Sequence, residues 1–216
     1  MDTKGHCYYF PKGQGLTFER KVQNEPLERA NAVKSGNYET CRIVHGLNPQ
    51  SAKYQYVIEV NGGEKGATNL EQNFERLFRV EQMDSIAHVI TFLPENTTAY
   101  ALRKTGKAFK NGLVKIFDTP CLLIVKSDER HCNLAISNPE FGRTDKFYTF
   151  SEVDRENPDI FRATSKVCPV QLTLKGKWAL DKESADAKII SAVDAETVIR
   201  FNCFDGKSIS VNLLHK

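Results

Sequence analysis

Apolar and polar residues alternate in short runs along most of this chain, each run closed by Gly, Pro, Asn or Asp, the pattern of half-buried β-strands. Leu16-Thr17-Phe18-Glu19-Arg20-Lys21-Val22 is one run and Thr40-Cys41-Arg42-Ile43-Val44-His45 is another, closed by Gly46 and Pro49. Tyr54 to Val60 places Tyr54, Tyr56, Ile58 and Val60 on one face and stops at the turn signal Asn61-Gly62-Gly63. Further strands are expected over Ile86–Leu93, Thr98–Leu102, Leu113–Phe117, Cys121–Lys126, Cys132–Ser137 and Val170–Leu174. Lys175-Gly176-Lys177 turns the chain into Trp178. The last pair, Thr197–Phe204 and Ser208–Leu214, flanks Asp205-Gly206, the strongest hairpin signal of the chain, with Ile199, Phe201 and Cys203 facing Ile209, Val211 and Leu213.

One segment breaks the period. Leu70, Phe74, Leu77 and Phe78 stand at i, i+4, i+7 and i+8, so the spacing predicts a helix from Thr68 to about Val80. Thr68 is placed to cap it, with Glu71 three residues on to complete a capping box. The expected fold class is all-β: antiparallel β-sandwiches with one short helix. A compositional seam near Met83 divides the chain into residues 1–83 and 84–216, and Phe141 to Thr164 reads as a long polar loop.

Composition agrees with that class. Val, Ile and Thr supply 41 of the 216 residues and Phe, Tyr and Trp another 21. Thirty Lys and Arg against 27 Asp and Glu leave +3, too even a balance to argue for a nucleic-acid partner. Mean hydropathy is −0.44, and no run approaches the roughly 20 apolar residues of a membrane-spanning helix. The opening MDTKGHCYYFPKGQG has no apolar signal-peptide core. Six cysteines, at 7, 41, 121, 132, 168 and 203, show neither zinc-ribbon nor thioredoxin spacing and read mainly as small buried hydrophobes.

Candidate chemistry is sparse. Lys12-Gly13-Gln14-Gly15 and Asn61-Gly62-Gly63 are read as turns, without the helix and Lys-Ser/Thr of a phosphate loop. The histidines, His6, His45, His88, His131 and His215, are scattered; His45 stands out because Gly46 and Pro49 mark a sharp loop at a sheet end. Tyr8, Tyr9, Phe10, Tyr54, Tyr56 and Trp178 have faces that stack on sugars but read first as packing residues. Lys104, Lys107, Lys110 and Lys115 form a basic stretch read as a solvated face, and Asp154, Glu156 and Asp159 an acidic cluster read as a solvated loop. No catalytic residue, metal ligand or cofactor is assigned, and the substrate-binding residues are unknown.

Three stretches carry a resemblance: Ile43-Val44-His45-Gly46-Leu47-Asn48-Pro49-Gln50-Ser51-Ala52-Lys53-Tyr54-Gln55-Tyr56; Asn96-Thr97-Thr98-Ala99-Tyr100-Ala101-Leu102 with the strands around Pro120; and Pro169 to Trp178 with the closing Asp205-Gly206. In this order they resemble the C-terminal part of polysaccharide lyase family 8, most of all its chondroitin sulfate-cleaving members. The resemblance implies a helical toroid and most of a large super-sandwich upstream, with residues 1–83 ending that super-sandwich and 84–216 forming a smaller sandwich. It also implies β-elimination at a uronic acid: the carboxylate is neutralised, the C5 proton removed and the leaving oxygen protonated. The family draws the His, Tyr, Arg, Asn and Glu for these steps from upstream, and no such motif matches here. The implied role is therefore non-catalytic structural support within a secreted or periplasmic glycosaminoglycan lyase, its partners being that polysaccharide and the upstream domains of the same chain. A free-standing carbohydrate-binding module is the alternative, and an exposed aromatic platform would mark it.

Overall fold

The structure, a computed structural model, describes residues 2, 4–27, 32–105, 109, 112–139 and 167–216. The expected loop Phe141–Thr164, the cluster Asp154, Glu156 and Asp159, and Lys107 and Lys110 lie outside the described residues. The strands pair antiparallel throughout, with a single α-helix among the described residues. Two compact units result, Met1–Phe74 and Glu75–Lys216. This division falls ahead of the Met83 seam because Phe78–Met83 is a strand paired with Ala87–Phe92.

In the second unit a seven-stranded sheet and a four-stranded sheet enclose one core. The first sheet has the order β12 (Trp178–Leu180), β15 (Ile209–His215), β10 (His131–Ser137), β9 (Cys121–Ser127), β7 (Thr97–Leu102), β6 (Ala87–Phe92), β5 (Phe78–Met83). The second has β13 (Ala187–Val193), β14 (Glu196–Cys203), β11 (Cys168–Lys175), β8 (Val114–Phe117). Period-2 alternation puts Cys121, Leu123 and Val125, Cys132, Leu134 and Ile136, and Val170, Leu172 and Leu174 into the core, all nearly inaccessible to solvent. This is the expected sandwich.

The expected terminal hairpin is not formed. Strand β14 pairs with β11 and β13, whereas β15 pairs with β10 and β12, so Asp205-Gly206 carries the chain from one sheet to the other. The turn is tight, with the Lys207 N–H donating to the Phe204 carbonyl at 2.9 Å. The inward faces are as expected: Ile199, Phe201, Cys203, Val211 and Leu213 are buried, but they meet across the core rather than along a ladder. The hairpin that does form joins β13 to β14 through Asp194 and Ala195, both at positive φ (48° and 58°). A second sheet crossing, at Gly176, holds φ at +91°; a Cβ there would stand 3.0 Å from the Trp178 indole nitrogen, so only glycine fits without strain.

The first unit is built differently. Strand β1 (Cys7–Tyr9) pairs with β4 (Val57–Glu59), and β2 (Gly15–Leu27) pairs with β3 (Ala32–Val44) as a separate two-stranded ribbon. The expected strand Tyr54–Val60 shortens to Val57–Glu59, since Tyr54 to Tyr56 make no ladder. Helix α1 (Gly63–Leu77) begins five residues before the expected Thr68 cap. The Thr68 hydroxyl instead donates to the Glu64 carbonyl at 2.9 Å, as a helix-interior threonine does. Phe78 lies past the helix, in β5, its ring 5.3 Å from Phe92. A helix thus does follow Asn61-Gly62-Gly63, contrary to the turn-only reading. Glu59 lies against its first turn, and a Cβ on Gly66 would come within 2.8 Å of that carboxylate. An acidic side chain already occupies the position a phosphate would take.

Candidate functional site

Among the described residues no group of three His, Cys, Asp or Glu is placed to hold a metal ion. The histidines stay apart in their roles. The His6 Nδ1 accepts the Asn61 N–H at 3.1 Å, His88 is half-buried on β6, His131 lies 3.3 Å from Asp128, and His215 meets the Trp178 ring edge-on at 5.0 Å. Of the basic stretch, Lys104 is exposed and Lys115 pairs with Glu196. All six cysteines are free thiols; burial pushes Cys121 and Cys132 up to about 12, which makes them packing residues and not nucleophiles.

The first unit holds one organised surface, and His45 is part of it. The chain leaves β3 at Val44 into a loop in which Gly46, Asn48 and Ser51 all take positive φ (76°, 50° and 54°). The non-glycine residues there make this a tightly specified turn rather than a slack linker. The loop returns through Tyr54-Gln55-Tyr56, which runs beside Gln14. The Gln14 amide acts as a strand surrogate: its Nε2 donates to the Gln55 carbonyl at 2.7 Å, and its Oε1 accepts the Gln55 N–H at 2.9 Å. The same Nε2 lies 3.4 Å from the Pro11 carbonyl. Pinning Gln55 fixes the backbone on which Tyr54 and Tyr56 stand.

The rings then follow in single file. Phe10 meets Tyr56 at 5.9 Å, Tyr56 lies 6.3 Å from Tyr54 with planes only 9° apart, and Tyr54 lies 6.1 Å from His45. Tyr54 and Tyr56 are 56% and 48% exposed, so much of each ring faces solvent. The aromatic residues singled out from the sequence therefore divide. Trp178 is a core residue, its Nε1 donating to the Lys175 carbonyl at 2.7 Å. Tyr9 packs on Phe74 at 5.1 Å and Tyr8 donates to Asp2 at 3.1 Å. Tyr54, Tyr56, Phe10 and His45 form the strip. Gln14 was missed, because an amide that replaces a ladder partner has no spacing signature in sequence. Chemically the strip offers flat apolar faces with one imidazole at its end, and among the described residues no carboxylate pairs with that imidazole.

No family model matches the chain. It is 27% identical over 232 residues to the chondroitin sulfate ABC exolyase of Bacteroides thetaiotaomicron, covering 99% of this chain and 22% of that protein. It is 19% identical over 209 residues to the chondroitin sulfate ABC endolyase of Proteus vulgaris, covering 95% of this chain and 19% of that protein. The chain thus spans about a fifth of the length of these curated relatives. The crystal structure of a chondroitin AC lyase from Streptomyces coelicolor A3 superposes with a TM-score of 0.68 at 13% identity, covering 97% of this chain and 25% of that one. This likeness shows the fold. The chain resembles the C-terminal part of a family 8 polysaccharide lyase.

Proposed function

We propose that the chain is the C-terminal β portion of a longer polysaccharide lyase that cleaves a chondroitin- or dermatan-type glycosaminoglycan by β-elimination at a uronic acid, and that its role in that enzyme is structural. In this reading the expected 1–83 and 84–216 segments correspond to the two units, the first ending a large sheet structure and the second, which takes in the strand Phe78–Met83, forming the smaller sandwich. A polymeric substrate is met outside the cell, which favours a secreted or periplasmic enzyme.

The observation that carries the reading is the β2–β3 ribbon. Its strands run 13 residues each and, among the described residues, pair only with one another, while Phe18, Val22 and Tyr38 are exposed along it. An isolated two-stranded ribbon is marginal in water at best. Strands of this length with open edges and apolar side chains facing solvent are suited to a larger sheet supplied by other parts of a protein.

The test is product formation. The 216-residue chain, purified and shown to unfold cooperatively, is incubated with chondroitin sulfate, dermatan sulfate and hyaluronan, and the ultraviolet absorbance of the unsaturated uronate product is followed. No turnover is expected. Turnover that disappears in His45→Ala or Tyr54→Phe would overturn the structural assignment.

A further inference from the structure

The two segments that build the ring strip run alongside one another from Tyr9 opposite Val57 to Phe18 opposite Cys41, bridged midway by Gln14 and Gln55. Residues 9–18 and 41–57 contain Lys12, Arg42 and Lys53 and no Asp or Glu. Arg42 is engaged by Glu19 at 3.3 Å. Lys12 and Lys53 are exposed and make no ion pair among the described residues. Lys53 is the chain neighbour of Tyr54, and Lys12 follows the Pro11 whose carbonyl the Gln14 amide reaches.

We propose that the strip Phe10, Tyr56, Tyr54 and His45 is a binding surface for an acidic polysaccharide, whose sugar rings stack on Tyr54 and Tyr56 while its carboxylate or sulfate groups meet Lys12 and Lys53. A pyranose presents a flat face of C–H bonds, which packs on the electron-rich face of an aromatic ring. Tyr54 and Tyr56, nearly parallel with ring centres 6.3 Å apart, suit successive units of a linear polymer. The unpaired cations that these two segments carry, Lys12 and Lys53, favour a polyanion over a neutral glycan. The Gln14–Gln55 pair holds the tyrosines in place before binding, which reduces the ordering cost. This surface does not depend on the structural role proposed above: either can fail while the other stands.

The experiment uses the full 216-residue chain in affinity electrophoresis through gels containing chondroitin sulfate, with dextran as the neutral control. Retardation by chondroitin sulfate, weakening with salt, and none by dextran are expected. Tyr54→Ala/Tyr56→Ala is expected to weaken binding by about tenfold or more, Tyr54→Phe/Tyr56→Phe to retain it, and Lys12→Gln/Lys53→Gln to weaken it. Nitration of the wild-type tyrosines by tetranitromethane, mapped by mass spectrometry, supplies a readout free of folding effects: saturating chondroitin sulfate should shield Tyr54 and Tyr56. The proposal is overturned by the absence of retardation, by equal retardation in dextran, or by nitration of both tyrosines at an unchanged rate.

Discussion

Cysteine spacing in the sequence argues only against zinc and thioredoxin motifs, and the structure adds what the side chains do. Cys121 and Cys132 sit on the inward faces of β9 and β10, almost without solvent contact, and burial raises each from 9.0 to about 12. The folded protein therefore holds these protons more tightly than the unfolded chain does. The stability they contribute is complete below pH 9 and falls as pH rises towards about 12, because unfolding then releases protons. The thermal midpoint of the wild type should drop across that range. The drop should be shallower in Cys121→Ala/Cys132→Ala, whose neutral midpoint is lower but whose core no longer titrates; parallel curves would refute the assignment. Cys41, exposed on β3, is the thiol expected to react with Ellman's reagent without denaturation.

At the scale of elements, the two turns around β14 show where local signals end. Asp205-Gly206 has the composition of a two-residue hairpin and the positive φ values to match (53° and 63°), yet its strands belong to different sheets. Asp194-Ala195 lacks the glycine and forms the true hairpin. Sheet membership is decided by which inward faces bury one another, a contact between residues far apart in sequence, whereas turn composition reports only that the chain reverses. Ala195 pays for its left-handed backbone (φ 58°), so Ala195→Gly should stabilise the second unit by about 0.5–1 kcal/mol in urea unfolding. No change, or destabilisation, would contradict the turn geometry. The start of α1 was hidden for a related reason. Asn61-Gly62-Gly63 reads as a turn, but Gly62 and Gly66 let Glu59 approach the first turn, a strand-to-helix contact with no local spacing signal.

The whole molecule was legible in class and less so in completeness. Period-2 alternation marked most strands of the second unit, because there one face of each strand is buried and the other wet. It missed β5, β12 and β13, all edge strands; in β13 that position leaves Lys188, Ile190 and Val193 facing solvent. In the first unit alternation marked only Leu16–Val22 of β2 and Thr40–Val44 of β3, about half of each strand, and a strand pattern cannot say whether a partner sheet is present. Near the start of that unit Tyr8 is exposed while Phe10 and Leu16 are half-buried, and the barest rings and aliphatics of the unit are Leu47, Phe18 and Val60. The strip at Tyr54 and Tyr56 was legible as a shared face but not as a surface, since the amide that pins it comes from Gln14, 41 residues away.

The central claim is that the second unit is a self-sufficient sandwich while the β2–β3 ribbon is built to be completed by other strands. Amide hydrogen exchange of the 216-residue chain at neutral pH, resolved by residue, tests it most directly. Amides of β9, β10, β11 and β14 should exchange only on global unfolding of their unit, whereas those along β2 and β3 should exchange orders of magnitude faster, as open edges do. Protection along β2 and β3 equal to that in β10 would show that the ribbon is stable without added strands, and would contradict the account.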